Sequence, residues 1–173
     1  MNKSISLLLT SAFALGLSIP AHAAGPNDAQ IAAIVVAANT VDIDAGKQAE
    51  TTSKNKDVRA FAKRMVADHT GVNQQATALV QKLHVTPEDN DTSKSLTQGG
   101  EATRTRLAGL SGKAYDKAYV DNEVTYHQTV LDALDKTLIP NASNAELKAL
   151  LVKVRPAFVA HLEHAKHIQA ELK

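Results

Sequence analysis

From Asp57 to Leu83 the chain reads DVRAFAKRMVADHTGVNQQATALVQKL. Val58, Phe61, Ala62, Met65, Val72, Ala76, Leu79, Val80 and Leu83 recur at steps of three and four residues, which lays one apolar stripe along a helix. At 1.5 Å per residue that helix is about 40 Å long. His69 interrupts the stripe, within roughly 20° of Val58 and Ala76 on a helical wheel. An imidazole on the inner face of a long helix is the feature around which the other segments are read.

The same pattern repeats on both sides. Asn27-x-x-Gln30 resembles a capping box and opens a helix with Ile31, Ile34, Val35, Ala38, Val41, Asp42, Ala45 and Ala49 inward; Asp44 lies nearly opposite Asp42. That helix ends in the polar stretch Thr51–Asn55, where Asn55 can cap the next. The second helix stops near His84, placed to meet the terminal carbonyls, and Thr86–Asp91 is a loop. From about Thr92 to Leu110 the pattern is weaker, and Gly99-Gly100 in its middle predicts a short helix or a broken pair. Ser111 can cap a helix from about Lys113 to Leu138, which Pro140 ends. Ser143-x-x-Glu146 reads as a capping box for a last helix carrying Leu147, Leu150, Leu151, Val154, Phe158, His161, Leu162, Ala165, Ile168 and Leu172. Pro156 inside that helix removes a donor and predicts a bend. Four long amphipathic helices joined by short connections predict an all-α, antiparallel four-helix bundle, with an extra short helical segment between the second and third long helices.

Residues 1–23 are read separately. Met1-Asn2-Lys3, a mostly apolar Ile5–Ile19 and Ala21-His22-Ala23 form a signal peptide cleaved after Ala23, which places the product in the bacterial periplasm or outside the cell. Residues 24–173 then form a single domain without a further membrane span. Without Lys3, 18 basic residues balance 18 acidic ones, so the basic surplus of a nucleic-acid binder is missing. There is no cysteine, which rules out disulfides, thiolate metal sites and iron–sulfur clusters.

The inward polar residues carry what chemistry there is. Asp42, His69, Glu123 with His127 one turn on, and His161 all fall on apolar faces, and counting from the turns puts them at similar heights. Imidazole and carboxylate suit Zn, Cu or Fe, so a transition-metal site of His69, His127, His161, Asp42 and Glu123 is one expectation. The other is a non-enzymatic envelope or stress-related protein whose polar core is hydrogen bonded and holds no metal. His164 and His167 continue a His-x-x-His-x-x-His run toward solvent. Tyr115, Tyr119 and Tyr126 read as core packing with hydroxyls at the edge rather than redox relays. No nucleophile elbow, phosphate loop or His-Glu-x-x-His motif is present. Nothing names a substrate, and the oligomeric state is left open.

Asn39-x-x-Asp42-Ile43-Asp44-x-Gly46, then Val58-Arg59-Ala60-Phe61-Ala62-x-x-Met65-Val66-x-Asp68-His69-x-x-x-Asn73, then Leu110-Ser111-Gly112-x-x-Tyr115-Asp116-x-x-Tyr119, His127 and Pro156-x-x-x-x-His161-Leu162 are similar to bacterial domain-of-unknown-function family 4142. The resemblance spans nearly the whole of residues 24–173, and Phe-Ala-x-x-Met-x-x-Asp-His is its most specific part. It implies an exported four-helix fold of the ferritin-like superfamily and no established activity. It also implies that Asp42 stands where the family has a longer Glu. Ferritin-like di-iron sites use Glu-x-x-His, whereas Val124 and Phe158 stand three before His127 and His161. That spacing argues against a di-iron oxidase.

Overall fold

The computed structural model describes residues 25–172; the expected signal peptide lies outside them. Every regular element among the described residues is helical. Helix α1 is Asp28–Thr52, α2 Lys56–Lys82, α3 Asp91–Ala108 and α4 Gly112–Ala133; α4 continues as a π-helical segment, Leu134–Leu138, into α5, Ile139–Asn141, and α6 is Ala145–Glu171. By length and composition α1 is the one described helix apolar enough to cross a membrane, but 56% of its apolar window is buried inside the fold.

The caps explain most boundaries. The Asn27 side chain accepts from the Gln30 amide at 2.9 Å and Gln30 accepts from the Asn27 amide at 3.1 Å, the reciprocal box the sequence predicts. Asn55 caps α2 through the Asp57 and Val58 amides. At the far end of α2, His84 takes φ 53°, and the Val85 amide donates to Val80 O at 2.9 Å. A left-handed residue there closes the last turn on its own carbonyls, a job glycine usually does.

Several sequence expectations need correction. Helix α3 is continuous through Gly99-Gly100 rather than short or broken. Gly100 is needed for contact: a Cβ there would sit 2.7 Å from Val41 Cγ2, so packing on α1 offsets the glycine's low helix propensity. Ser111 precedes α4 without donating or accepting a side-chain cap, and Gly112 supplies the turn with φ +55°. Pro140 does not end the fourth helix. The preceding turn widens to π pairing, which relieves the clash of a proline ring with a carbonyl one turn back, and helix continues to Asn141. The cap of α6 is Asn144, not Ser143. The Ser143 and Asn144 amides instead donate to the Asp28 carboxylate at 2.8 and 3.0 Å, which ties the start of α6 to the start of α1. Helix α6 runs through Pro156, which is exposed.

Helices α1 and α2 pack closely because small residues face each other: a Cβ on Gly46 would lie 2.9 Å from Val66 Cγ2 and 3.0 Å from Ala62 O. Helix α3 lies along α1, and α4 packs on α6, which also meets α2. The apolar interior falls into two clusters. One gathers Ile31, Val35, Val72, Leu131, Leu138, Leu151 and Phe158. The other gathers Ala49, Phe61, Met65, Leu107, Tyr115, Tyr119 and Ile168. Along α1 and α6 the chain passes from the first cluster to the second, and along α2 and α4 from the second to the first. Between them, each long helix contributes a buried polar residue: Asn39 and Asp42, His69, Glu123 and His127, and His161.

Candidate metal centre

Each side chain of this layer sits one or two turns from apolar residues on the same helical face, so helix packing drives it inward. His69 follows Met65 and precedes Val72; His161 follows Phe158 and precedes Ala165; both are buried with their neighbours. The three rings meet: centroids lie 5.6 Å apart for His69 and His127, 5.2 Å for His69 and His161, and 5.4 Å for His127 and His161. Phe158 stacks on His69 at 5.1 Å. One nitrogen from each imidazole lies within 4.8 Å of the other two, and the same holds for ligand atoms of Asp42, Glu123 and His127. The structure thus brings together all five residues singled out from the sequence.

The hydrogen bonds on the outer side of the rings decide which nitrogen faces in. His69 Nδ1 is 2.7 Å from Asn39 Oδ1, and Asn39 Nδ2 is already donated to Val35 O at 2.8 Å. The amide oxygen must therefore accept, and the proton sits on His69 Nδ1. His127 Nδ1 lies 3.0 Å from the Glu123 carbonyl oxygen, which can only accept. His161 Nε2 lies 2.8 Å from Asp68 Oδ2. Burial pushes the Asp68 carboxyl up, but hydrogen bonds from His161 and Arg64 outweigh that and hold it below its ordinary value, so it too accepts. With one nitrogen of each neutral imidazole protonated, the other must be a lone pair. Those others are His69 Nε2, His127 Nε2 and His161 Nδ1, and all three are buried without a protein partner.

The rings stay neutral. Burial, then the neighbouring His127 and His161, hold His69 well below its usual range. Burial, with His161 beside it, lowers His127 to about 4. Burial also lowers His161, against the pull of Asp68. Three neutral rings packed 5.2–5.6 Å apart thus each keep one buried nitrogen free of any protein partner, an arrangement that favours a cation and penalises its absence.

Asp42 and Glu123 complete the layer. Asp42 Oδ2 stands 3.5 Å from His69 Nε2, and Glu123 Oε2 3.6 Å from His127 Nδ1. Burial, then the charge of Glu123, raises Asp42, and burial raises Glu123 to about 8. Asp42 Oδ1 and both Glu123 oxygens have no hydrogen-bond partner, nor do the hydroxyls of Tyr115 and Tyr119. Those hydroxyls are buried, not at the edge as the sequence suggests; Tyr126 donates its own to Ala38 O at 3.1 Å. His164 is half-buried, edge-on to Phe61 at 5.3 Å, and His167 is exposed beside Glu171.

Residues and charge fit a metal ion. With one nitrogen of each ring within 4.8 Å of the other two, the three imidazoles are close enough for one ion to be shared among them. Oriented imidazoles backed by carbonyl and carboxylate acceptors are the usual outer support of such ions. Asn39 and Asp68 provide two of the three supports; both stand among the motif residues quoted from the sequence but not among its five candidate ligands. Their signal was adjacency: Asn39 shares a face with Asp42, and Asp68 precedes His69. No curated protein matches the chain, and no solved structure does. A family model does match, over residues 17–168, and the chain belongs to that family, described as Domain of unknown function (DUF4142).

Proposed function

We propose that this chain is an exported, ferritin-like bundle protein that holds one divalent transition-metal ion on His69, His127 and His161, with Asp42 and Glu123 balancing its charge. The observation that carries the reading is a packed group of three buried imidazoles, each with one nitrogen held by an acceptor and the other without a protein partner. A hydrogen-bonded core without metal would have to draw its donors from protonated Asp42 and Glu123, and neither makes a hydrogen bond to an inward nitrogen; Asp42 Oδ2 stands 3.5 Å from His69 Nε2. Two buried carboxylates beside three neutral rings make a divalent cation electrically neutral in place. Imidazole and carboxylate suit Zn, Cu or Fe. The ferritin-like reading is supported by the order in which helices cross the layer. Helices α1 and α2 cross it in opposite senses, α3 intervenes, and α4 and α6 again cross in opposite senses. One long crossover between two hairpins is the ferritin-like connection. The composition of residues 1–23 supports export.

Calorimetric titration of metal-stripped protein with Zn2+, Cu2+ and Fe2+ tests the site. One ion per chain is expected to bind, with affinity lost in the double variant His69→Ala/His161→Ala. Affinity no tighter than that of a surface histidine tag, or unchanged in the variant, would end the proposal. Export is checked by fractionation and by an amino terminus at Ala24.

A further inference from the structure

We propose that the groove between α3 and α4 is a binding site for a small, uncharged, largely apolar molecule. The groove has a volume of about 390 Å³, with Val41 and Ala45 of α1 lining it together with Leu96 and Gly99 of α3 and Asn122 and Tyr126 of α4. Small-molecule sites begin at about 300 Å³. No acidic or basic side chain lines it, although 21% of the chain is charged. An ionic guest would lose hydration there without gaining a partner, a cost of several kcal/mol. Hydrogen-bonding capacity is sparse as well. Tyr126 donates its hydroxyl to Ala38 O, and Thr125 and Thr129 donate theirs within their own helix to Asp121 O and Thr125 O. Asn122 and the hydroxyls at the α3 rim are left to orient a guest.

Gly99 is the second observation. A glycine inside a helix costs about 1 kcal/mol relative to alanine. At Gly100 close contact with Val41 explains it, whereas a Cβ on Gly99 would meet nothing within 4 Å. Gly99 is exposed and lines the groove, so a larger side chain there has room and would narrow the groove's mouth. The groove adjoins the metal centre through Asn122 and Tyr126, the chain neighbours of Glu123 and His127, but shares none of its five residues, and the probe and metal titrations read the two sites separately.

Fluorescence titration of the purified protein with N-phenyl-1-naphthylamine, an uncharged apolar probe, tests this. We expect saturable binding at one probe per chain, weakened at least tenfold by Gly99→Leu. Gly71→Leu, on α2 where a Cβ also meets nothing within 4 Å, should leave binding unchanged, and both variants should melt at or a few degrees above the wild-type temperature, since leucine is the better helix former. Non-saturating fluorescence, equal binding by Gly99→Leu, or equal loss in Gly71→Leu would overturn the site. So would a dimer in sedimentation that excludes the probe and that Gly99→Leu dissociates, since the groove would then be a self-association surface.

Discussion

Replacing His127 by leucine should change stability in opposite directions with and without metal. In the metal-free protein His127 Nε2 is buried and partnerless, and leaving such a group costs about 1–3 kcal/mol. Leucine, similar in volume, removes that cost. It also removes the bond from Nδ1 to the Glu123 carbonyl, 3.0 Å long, worth about 0.5–1.5 kcal/mol. The carbonyl itself remains in the helix ladder, so no new orphan appears. Imperfect fit against Phe158, His69 and His161 returns up to about 1 kcal/mol. The net expectation is a metal-free variant about as stable as wild type or about 1 kcal/mol more stable, a rise in Tm of up to about 4 °C. With Zn2+ at a hundred times the wild-type Kd, wild type gains about 2.7 kcal/mol. A variant binding a hundredfold more weakly gains only about 0.4 kcal/mol at the same concentration. Scanning calorimetry of chelator-treated protein, with and without Zn2+, reads all four values. A metal-free His127→Leu that loses about 3 kcal/mol, with Zn2+ moving neither melting point, would refute the reasoning and make the layer a structural hydrogen-bond network.

Asn39→Leu should lower Zn2+ affinity by about 10–100-fold, because the proton on His69 Nδ1 loses its acceptor, while Asn39→Asp should stay closer to wild type; calorimetric titration distinguishes them. Gly46→Ala should destabilise by about 1–3 kcal/mol, since the Ala62 carbonyl lies 3.0 Å from the new Cβ and cannot yield without moving α2. Gly71→Ala, with open space around it, should stabilise by up to about 1 kcal/mol in denaturant melts. The metal-free protein should be most stable from about pH 4.5 to 6.5. Between pH 4 and 6.5 His127, held to about 4 in the fold against 6.5 unfolded, leaves the unfolded chain binding more protons and lowers stability as pH falls. Between pH 4.5 and 8 Glu123, raised to about 8 from 4.5, leaves the folded chain binding more protons and lowers stability as pH rises, so the two offset each other from 4.5 to 6.5 and each acts alone outside it. Urea melts across pH 4–8.5 check both limbs, and Glu123→Gln should flatten the alkaline one.

The all-helical fold was legible because His69, Glu123, His127 and His161 interrupt otherwise regular apolar stripes, and period alone reveals both stripe and interruption. Their common height followed from counting residues out from each turn. What the sequence hid was partner choice. Nothing local says that Asp68, half-exposed on α2, reaches across to His161 on α6, or that Asn39 fixes the ring of His69. The ends of helices were misread wherever a tertiary contact outbid a local signal. Ser143 loses the cap of α6 to Asn144, whose side chain accepts from the Glu146 and Leu147 amides while Asp28 ties both residues to α1; Gly100 stays helical because Val41 packs over it; Pro140 is absorbed by a π turn. The buried hydroxyls of Tyr115 and Tyr119 were unreadable because depth along a side chain leaves no mark in the period.

The polar layer lies between the two apolar clusters, and Val124 packs against both. Every long helix thus packs apolar residues toward both ends and carries its buried polar residues at its waist. In chelated protein, amide protons of the two halves should exchange with solvent at separate rates. An ion clasped by α2, α4 and α6 at mid-height would make them open as one unit, so its occupancy would set how cooperatively the whole domain melts.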